Sequence, residues 1–272
     1  MKAFACVCGQ PLFFSNLMCL ACGRAVAYDP TAQVLGAIEP AGAGLFSLAQ
    51  DEREPRPVFR HCAHRTTAAA CNWLVPATEP AAICLSCQLT RTVPPLDRPK
   101  NTDRLREIET AKRRVLYALQ RLDLPLAPKR GEDDRAGLAF DFLEAIPGDK
   151  PVMTGHANGL ITLNVAEADP DYREKNRDAL AEPYRTLVGH FRHELGHYYW
   201  DRLVWDSEWL EPFRELFGDE RASYQEALDR HYQQGAPADW STRYISAYAT
   251  MHPWEDWAES WAHFMHIRST IE

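Results

Sequence analysis

His193 and His197 stand four residues apart in the segment His193-Glu194-Leu195-Gly196-His197. On a helix that spacing sends both imidazoles off one face, one turn apart. Two neutral imidazole nitrogens so placed can reach one zinc ion at about 2.0–2.1 Å. Glu194 then lies beside the open coordination position. A carboxylate there can take a proton from a water whose pKa the metal lowers to about 7. The chemistry on offer is metal-assisted hydrolysis.

A hydrolytic zinc needs a third protein ligand. The segment Tyr248-Ala249-Thr250-Met251-His252-Pro253-Trp254-Glu255-Asp256-Trp257-Ala258-Glu259 offers one. Pro253 suits the first turn of a helix, which puts Glu255 and Glu259 on one face. Glu255 is the expected third ligand. Glu259 is expected to accept the other ring N–H of a ligating histidine and fix its tautomer. His190 lies on roughly the same face as His193 and reads as a solvent-facing or hydrogen-bonded histidine. His252, His263 and His266 are further candidate ligands, His252 also a candidate aid to substrate binding and His263 and His266 expected at the far end of the last helix.

All eight cysteines precede residue 88. Cys6, Cys8, Cys19 and Cys22 make one four-thiolate set; Cys62, Cys71, Cys84 and Cys87 make a second. Four thiolates suit a closed tetrahedral zinc with a structural role, although iron is chemically open to them. His61 or His64 could replace a thiolate in the second set, and the two sets could exchange ligands. The expected metal content is one catalytic and two structural Zn2+.

These groups need elements to hold them. Residues 1–95 have short apolar runs and no helical period, and 41–59 reads as a connector between cysteine sets. Val93-Pro94-Pro95-Leu96-Asp97-Arg98-Pro99 reads as a stiff linker. A second domain is expected over 100–272. It opens with a helix capped at Asn101–Asp103 and patterned by Leu105, Ile108, Ala111, Val115, Leu116, Leu119 and Leu122. Strands are expected at 138–143, 152–154 and 160–165, the last two joined by a turn at Asn158-Gly159. From Pro183 onward the pattern is helical, broken near Gly218, Gly235–Pro237 and Pro253. Leu187, Val188, Phe191 and Leu195 give the motif helix a face to bury, and Gly196 clears room for close packing behind it. The fold class is α+β, with four-cysteine modules followed by a mostly helical domain with a small antiparallel sheet.

The HELGH segment followed by a helix reading Glu-x-x-Ala-Glu resembles the gluzincin metallopeptidases, and the spacing of Tyr248 before Glu255 resembles the anthrax lethal factor branch. That resemblance implies a zincin-like domain in which Tyr248 steadies the oxyanion of the tetrahedral intermediate; Tyr244 is the competing tyrosine. The whole chain also resembles bacterial zinc-binding metallopeptidases with an N-terminal zinc ribbon. Its carrying segments are His190–Trp200, Ser246–Glu259 and Cys71-Asn72-Trp73. Such a protein is expected to be a zinc metalloendopeptidase acting on polypeptides. In zinc peptidases an exposed strand beside the active helix pairs with extended substrate, and Leu160–Val165 is the candidate.

The 272 residues are 46% hydrophobic with a net charge of -8, enough for a core and unfavourable for gripping phosphates. No run of about 18 apolar residues exists, and no apolar leader precedes the cysteines, so a cytoplasmic protein without membrane contact is expected. The ribbon is expected to dock a protein or nucleic-acid partner. Arg53, Arg56, Arg60, Arg65, Arg91 and Arg98 supply charge, and Phe59 and Trp73 are candidate stacking groups. Two rival readings follow: a zinc-ribbon adaptor with an inactive peptidase-like domain, and a nucleic-acid-associated protease. Oligomeric state and substrate are not encoded legibly.

Overall fold

The computed structural model describes residues 3–146, 148, 151–179 and 186–271. At the N-terminus β1 (Phe4–Ala5) and β2 (Pro11–Leu12) form a hairpin. A five-stranded antiparallel meander follows: β3 (Val26–Asp29), β4 (Val34–Pro40), β5 (Phe46–Leu48), β6 (Phe59–His61) and β7 (Leu74–Pro76). The stretch 41–59 therefore contributes β5 and the start of β6 rather than a bare connector. Its apolar residues Phe46, Leu48 and Phe59 pack with Ala27, Ile38 and Leu74, which draws the segment into the sheet. Phe59 and Trp73 are each only 1% exposed, so neither can stack on a base.

The short helix α1 (Leu85–Gln88) leads into β8 (Thr90–Thr92), then the proline-rich stretch, then α2 (Asn101–Gln120). Lys100, with φ of 68°, occupies the N-cap position of α2, not Asn101–Asp103. Asn101 instead is buried and donates to Pro95 O at 2.9 Å, tying the proline stretch to the helix start.

The second sheet runs β10 (Gly155–Ala157), β11 (Leu160–Asn164), β9 (Ala139–Leu143), β8. Only β10–β11 is antiparallel; β11–β9 and β8–β9 are parallel. The sheet is thus mixed, because β8 and β9 are joined through α2, a crossover long enough for parallel pairing. β11 is also interior, so Leu160–Val165 is not the edge; β10 is. Asn158 and Gly159, with φ of 49° and 76°, make the turn in the left-handed region that primed hairpin turns require. That tip is fastened from outside: Lys129 Nζ donates to Asn158 O (2.7 Å) and Asp134 O (2.6 Å), and Asn158 Nδ2 donates to Glu132 O (2.7 Å).

The remaining elements are α3 (Pro170–Ala179), α4 (Leu187–Leu203), α5 (Leu210–Phe217), α6 (Tyr224–Gln234) and α7 (Pro253–Ile271). The helical onset expected at Pro183 lies outside the described residues. The breaks fall as expected, with Gly218 and Gly235 ending α5 and α6 and Pro253 starting α7.

One continuous core joins the cysteine-rich region to the helices. Where they meet, Glu109, Lys112 and Arg113 of α2 are all buried. Lys112 Nζ donates to Ser86 O (2.8 Å), Glu109 Oε1 (2.9 Å) and the Thr90 hydroxyl. Arg113 donates to Ala69 O at 3.0 Å. Burial disfavours the charged Glu109, but Lys112 and Arg113 outweigh it and hold its carboxyl below the ordinary range.

Candidate metal centre

The motif helix α4 begins at Thr186, whose hydroxyl accepts the Gly189 N–H at 3.0 Å. Its inner face buries Phe191, Leu195, Tyr198 and Tyr199. Tyr198 and Tyr199 donate to the carbonyls of Ala136 (2.7 Å) and Pro125 (3.0 Å), which fixes the helix against the loop before β9. Helix α7 crosses α4 at Gly196. A Cβ there would come within 2.9 Å of Ala258 Cα, so only glycine permits the approach. Trp257 Nε1 donates to Gly196 O at 2.8 Å and locks the crossing.

This close crossing brings Glu255 and Glu259 onto the histidines. His193 Nε2 lies 3.0 Å from Glu255 Oε2, His197 Nε2 lies 3.4 Å from Glu255 Oε1, and the two Nε2 atoms are 3.2 Å apart. A tetrahedral ion with arms of about 2.0–2.1 Å needs ligand separations of about 3.3 Å. Glu255 Oε2 is buried and has no hydrogen-bond partner among the described residues. A carboxylate whose two oxygens face two imidazole nitrogens at near-tetrahedral spacing, one of those oxygens orphaned, fits a bound cation. His193 Nδ1 meets Glu259 Oε1 at 2.8 Å, the contact expected to fix the ring's tautomer.

Without a cation, burial works against a charged His193, but Glu255 and Glu259 overcome it and raise the ring's pKa well above the ordinary value. A metal would replace that second proton. Burial pushes the Glu194 carboxyl above its usual range; His193 and His197 pull it down, and Glu255 adds to the rise. A carboxylate raised in this way is a better proton acceptor near neutral pH.

The cluster opens into a cleft of about 430 Å³. Glu194, Tyr248 and the outer strand β10 line it. The Tyr248 ring sits 6.1 Å from the His193 ring. Burial, then Glu255, raises its phenol, which keeps the hydroxyl a proton donor. Tyr244 packs against Arg243 at 5.9 Å and is absent from the cleft lining. His252 is 3% exposed and its Nε2 meets Ala222 O at 3.1 Å, so it braces the fold and does not meet the expectation of a substrate-binding group. His190 lies by Glu167 (3.6 Å), and His263 and His266 are exposed on α7.

Three lining residues escaped the sequence reading. Tyr224 donates to Glu255 Oε1 at 2.8 Å. His156 on β10 has its ring parallel to that of His197, with centroids 6.4 Å apart. Its Nε2 accepts the Gly159 N–H at 3.0 Å, so the ring proton sits on Nδ1. Asp201 stands one turn beyond His197, and burial raises its carboxyl. The four-residue spacing from His197 was a usable signal for Asp201; nothing local pointed to the other two.

The cysteines group as two separate sets, Cys6–Cys8–Cys19–Cys22 and Cys62–Cys71–Cys84–Cys87, without histidine and without exchange. Their sulfurs approach at 3.6 and 3.7 Å in the first and 3.6 and 3.5 Å in the second. A disulfide needs about 2.05 Å, whereas a tetrahedron with Zn–S arms of about 2.3 Å has edges of about 3.8 Å. Gly9 and Gly23, with φ of 85° and 72°, form the turns after each close pair of the first set. The backbone N–H of Cys22 helps lower the Cys19 thiol to about 6, toward the ligating thiolate.

The chain joins a candidate metal centre on its helices to a cysteine-rich ribbon. The chain belongs to the family described as "Putative zinc-binding metallo-peptidase", whose model matches residues 101–272. A zinc-ribbon domain model matches residues 3–98. The chain is 43% identical over 279 residues to Uncharacterized protein Rv2568c of Mycobacterium tuberculosis and to Uncharacterized protein Mb2598c of Mycobacterium bovis. Each alignment covers all of this chain and 75% of the relative. No solved structure gives a significant match. Among the described residues no helix is long and apolar enough to cross a membrane.

Proposed function

We propose that the protein is a zinc-dependent endopeptidase of gluzincin type, with His193, His197 and Glu255 as the metal ligands. The observation that carries this reading is the Glu255 carboxylate, its Oε2 orphaned, set against two imidazoles at near-tetrahedral spacing, with Glu194 beside them. A zinc ion held there would supply Lewis acidity to the scissile carbonyl and to the attacking water. Glu194 takes the proton from that water and returns it to the leaving amine. Tyr248 donates its hydroxyl to the developing oxyanion. Glu259 holds the His193 ring through Nδ1. The outer strand β10 borders the cleft and offers backbone groups to an extended peptide. The two cysteine sets hold structural zinc ions, and the ribbon docks substrate or a protein partner.

The arginines support a protein partner over nucleic acid. Arg53, Arg56, Arg91 and Arg98 pair with Asp29, Glu39, Asp141 and Glu144, while Arg60 and Arg65 donate to backbone carbonyls. Charge already committed internally is poor at neutralising phosphates.

The test is cleavage of a proteome-derived peptide library by wild type and Glu194→Gln. The variant should keep about three zinc ions per chain and lose about 10²–10⁴-fold in rate, the range for a general base. Matching cleavage patterns at matching rates would defeat the reading.

A further inference from the structure

The geometry points to Tyr224 as a positioning residue that commits one oxygen of Glu255 and leaves the other free for the metal. This rests on the proposed metal centre and adds a group to it. Tyr224 donates to Oε1 at 2.8 Å, an oxygen that lies 3.4 Å from His197 Nε2. Oε2 lies nearer its own imidazole, 3.0 Å from His193 Nε2, and is buried without a hydrogen-bond partner among the described residues. A carboxylate with one oxygen occupied by a hydroxyl proton binds a cation through the other, as a single-point ligand. Held this way, Glu255 keeps the open coordination position from being closed by its own second oxygen.

The phenol is itself held firmly. Tyr224 is the first residue of α6, directly after Ser223, whose hydroxyl caps the helix by accepting the Glu226 N–H at 3.3 Å. Two residues earlier, Ala222 O meets His252 Nε2 at 3.1 Å. The Tyr224 ring packs edge-on against the His252 ring with centroids 5.3 Å apart. The helix bearing the phenol and the turn leading to Glu255 are therefore pinned together, so Glu255 meets its hydrogen-bond donor in a preset position. His252 finds its purpose here, as the brace between them.

The experiment is a zinc competition titration of the full-length zinc-loaded protein against a chromophoric chelator. Wild type, Tyr224→Phe and Tyr244→Phe are compared. In Tyr224→Phe the third zinc equivalent should bind about 10–100-fold more weakly, the usual cost of losing a partner of a metal ligand. The two cysteine-held equivalents should not move, which also reports that the variant is folded. Tyr244→Phe, outside the cleft, should bind all three as wild type does. An unchanged third equivalent in Tyr224→Phe overturns the inference. Equal weakening of all three, or equal weakening in both variants, overturns it as well, since packing rather than the hydrogen bond would then be responsible. A wild type that binds only two equivalents removes the metal centre and the inference together. The peptidase reading fails separately, through the Glu194→Gln comparison, which leaves this titration untouched.

Discussion

The second cysteine set and the histidine cluster gather their ligand atoms to similar distances, yet their surroundings are opposite. Cys62, Cys71, Cys84 and Cys87 are all buried, and four sulfurs complete a tetrahedron with nothing left over. His193, His197 and Glu255 supply three atoms, and the fourth direction is a cleft lined by two further carboxylates and two phenols. A closed set can only hold a chain together, whereas a set one ligand short can do chemistry. The first cysteine set lies between these cases: it has four sulfurs, but Cys8 and Cys22 are exposed.

Breaking the closed set should have the largest effect. Structural zinc sites carry roughly 10–16 kcal/mol of apparent binding energy in small zinc domains. Cys84→Ser should therefore give no soluble folded protein, seen as loss of cooperative unfolding by circular dichroism. Cys22→Ser, at the exposed set, should leave a folded chain that still binds zinc at the other two sites. Similar behaviour of the two variants would erase the distinction between closed and exposed sets.

Next comes the ion network that joins the closed set to α2. Glu109→Gln leaves Lys112 and Arg113 buried without their carboxylate, at a cost of about 3–5 kcal/mol near neutral pH. The folded Glu109 pKa lies below its ordinary 4.5. Its stabilisation is therefore present above 4.5 and lost as pH falls from there through the lower folded value. The difference in melting temperature between wild type and variant should narrow over that window. A gap that stays constant on acidification would show that Glu109 is not the titrating group.

The smallest effect sharpens the open site. Gly196→Ala places a methyl against the α7 backbone and should cost about 1–3 kcal/mol in urea unfolding. It should also slow peptide cleavage, because the same crossing sets Glu255 over the histidines. An unchanged midpoint would mean that the helices separate freely.

Much of the open site was legible because its parts are local. His193, Glu194 and His197 sit on one helix, and Glu255 and Glu259 on the next long one, so helical periodicity alone aligned them. The cysteine sets were legible from their close pairs. What the sequence hid is what distant packing decides. Tyr224 lies 31 residues from Glu255 along the chain, and no spacing rule links them. Lys112 and Arg113 are charged, yet they are buried against carbonyls of the cysteine region, an outcome that only distant packing decides. Strand order was equally hidden: β11 has the alternation of a half-buried edge, but parallel pairing with β9 makes it interior and passes the rim to β10.

That rim has a consequence for whatever enters the cleft. The β10 turn is already clamped by Lys129 and by Asn158's bond to Glu132 O, so this wall gives up little freedom on binding. More of the entropic toll of association then falls on the incoming chain. A segment that is extended beforehand has the least to lose. For the peptide substrate proposed above, loops, tails and unfolded stretches are therefore favoured over the interior of an intact domain.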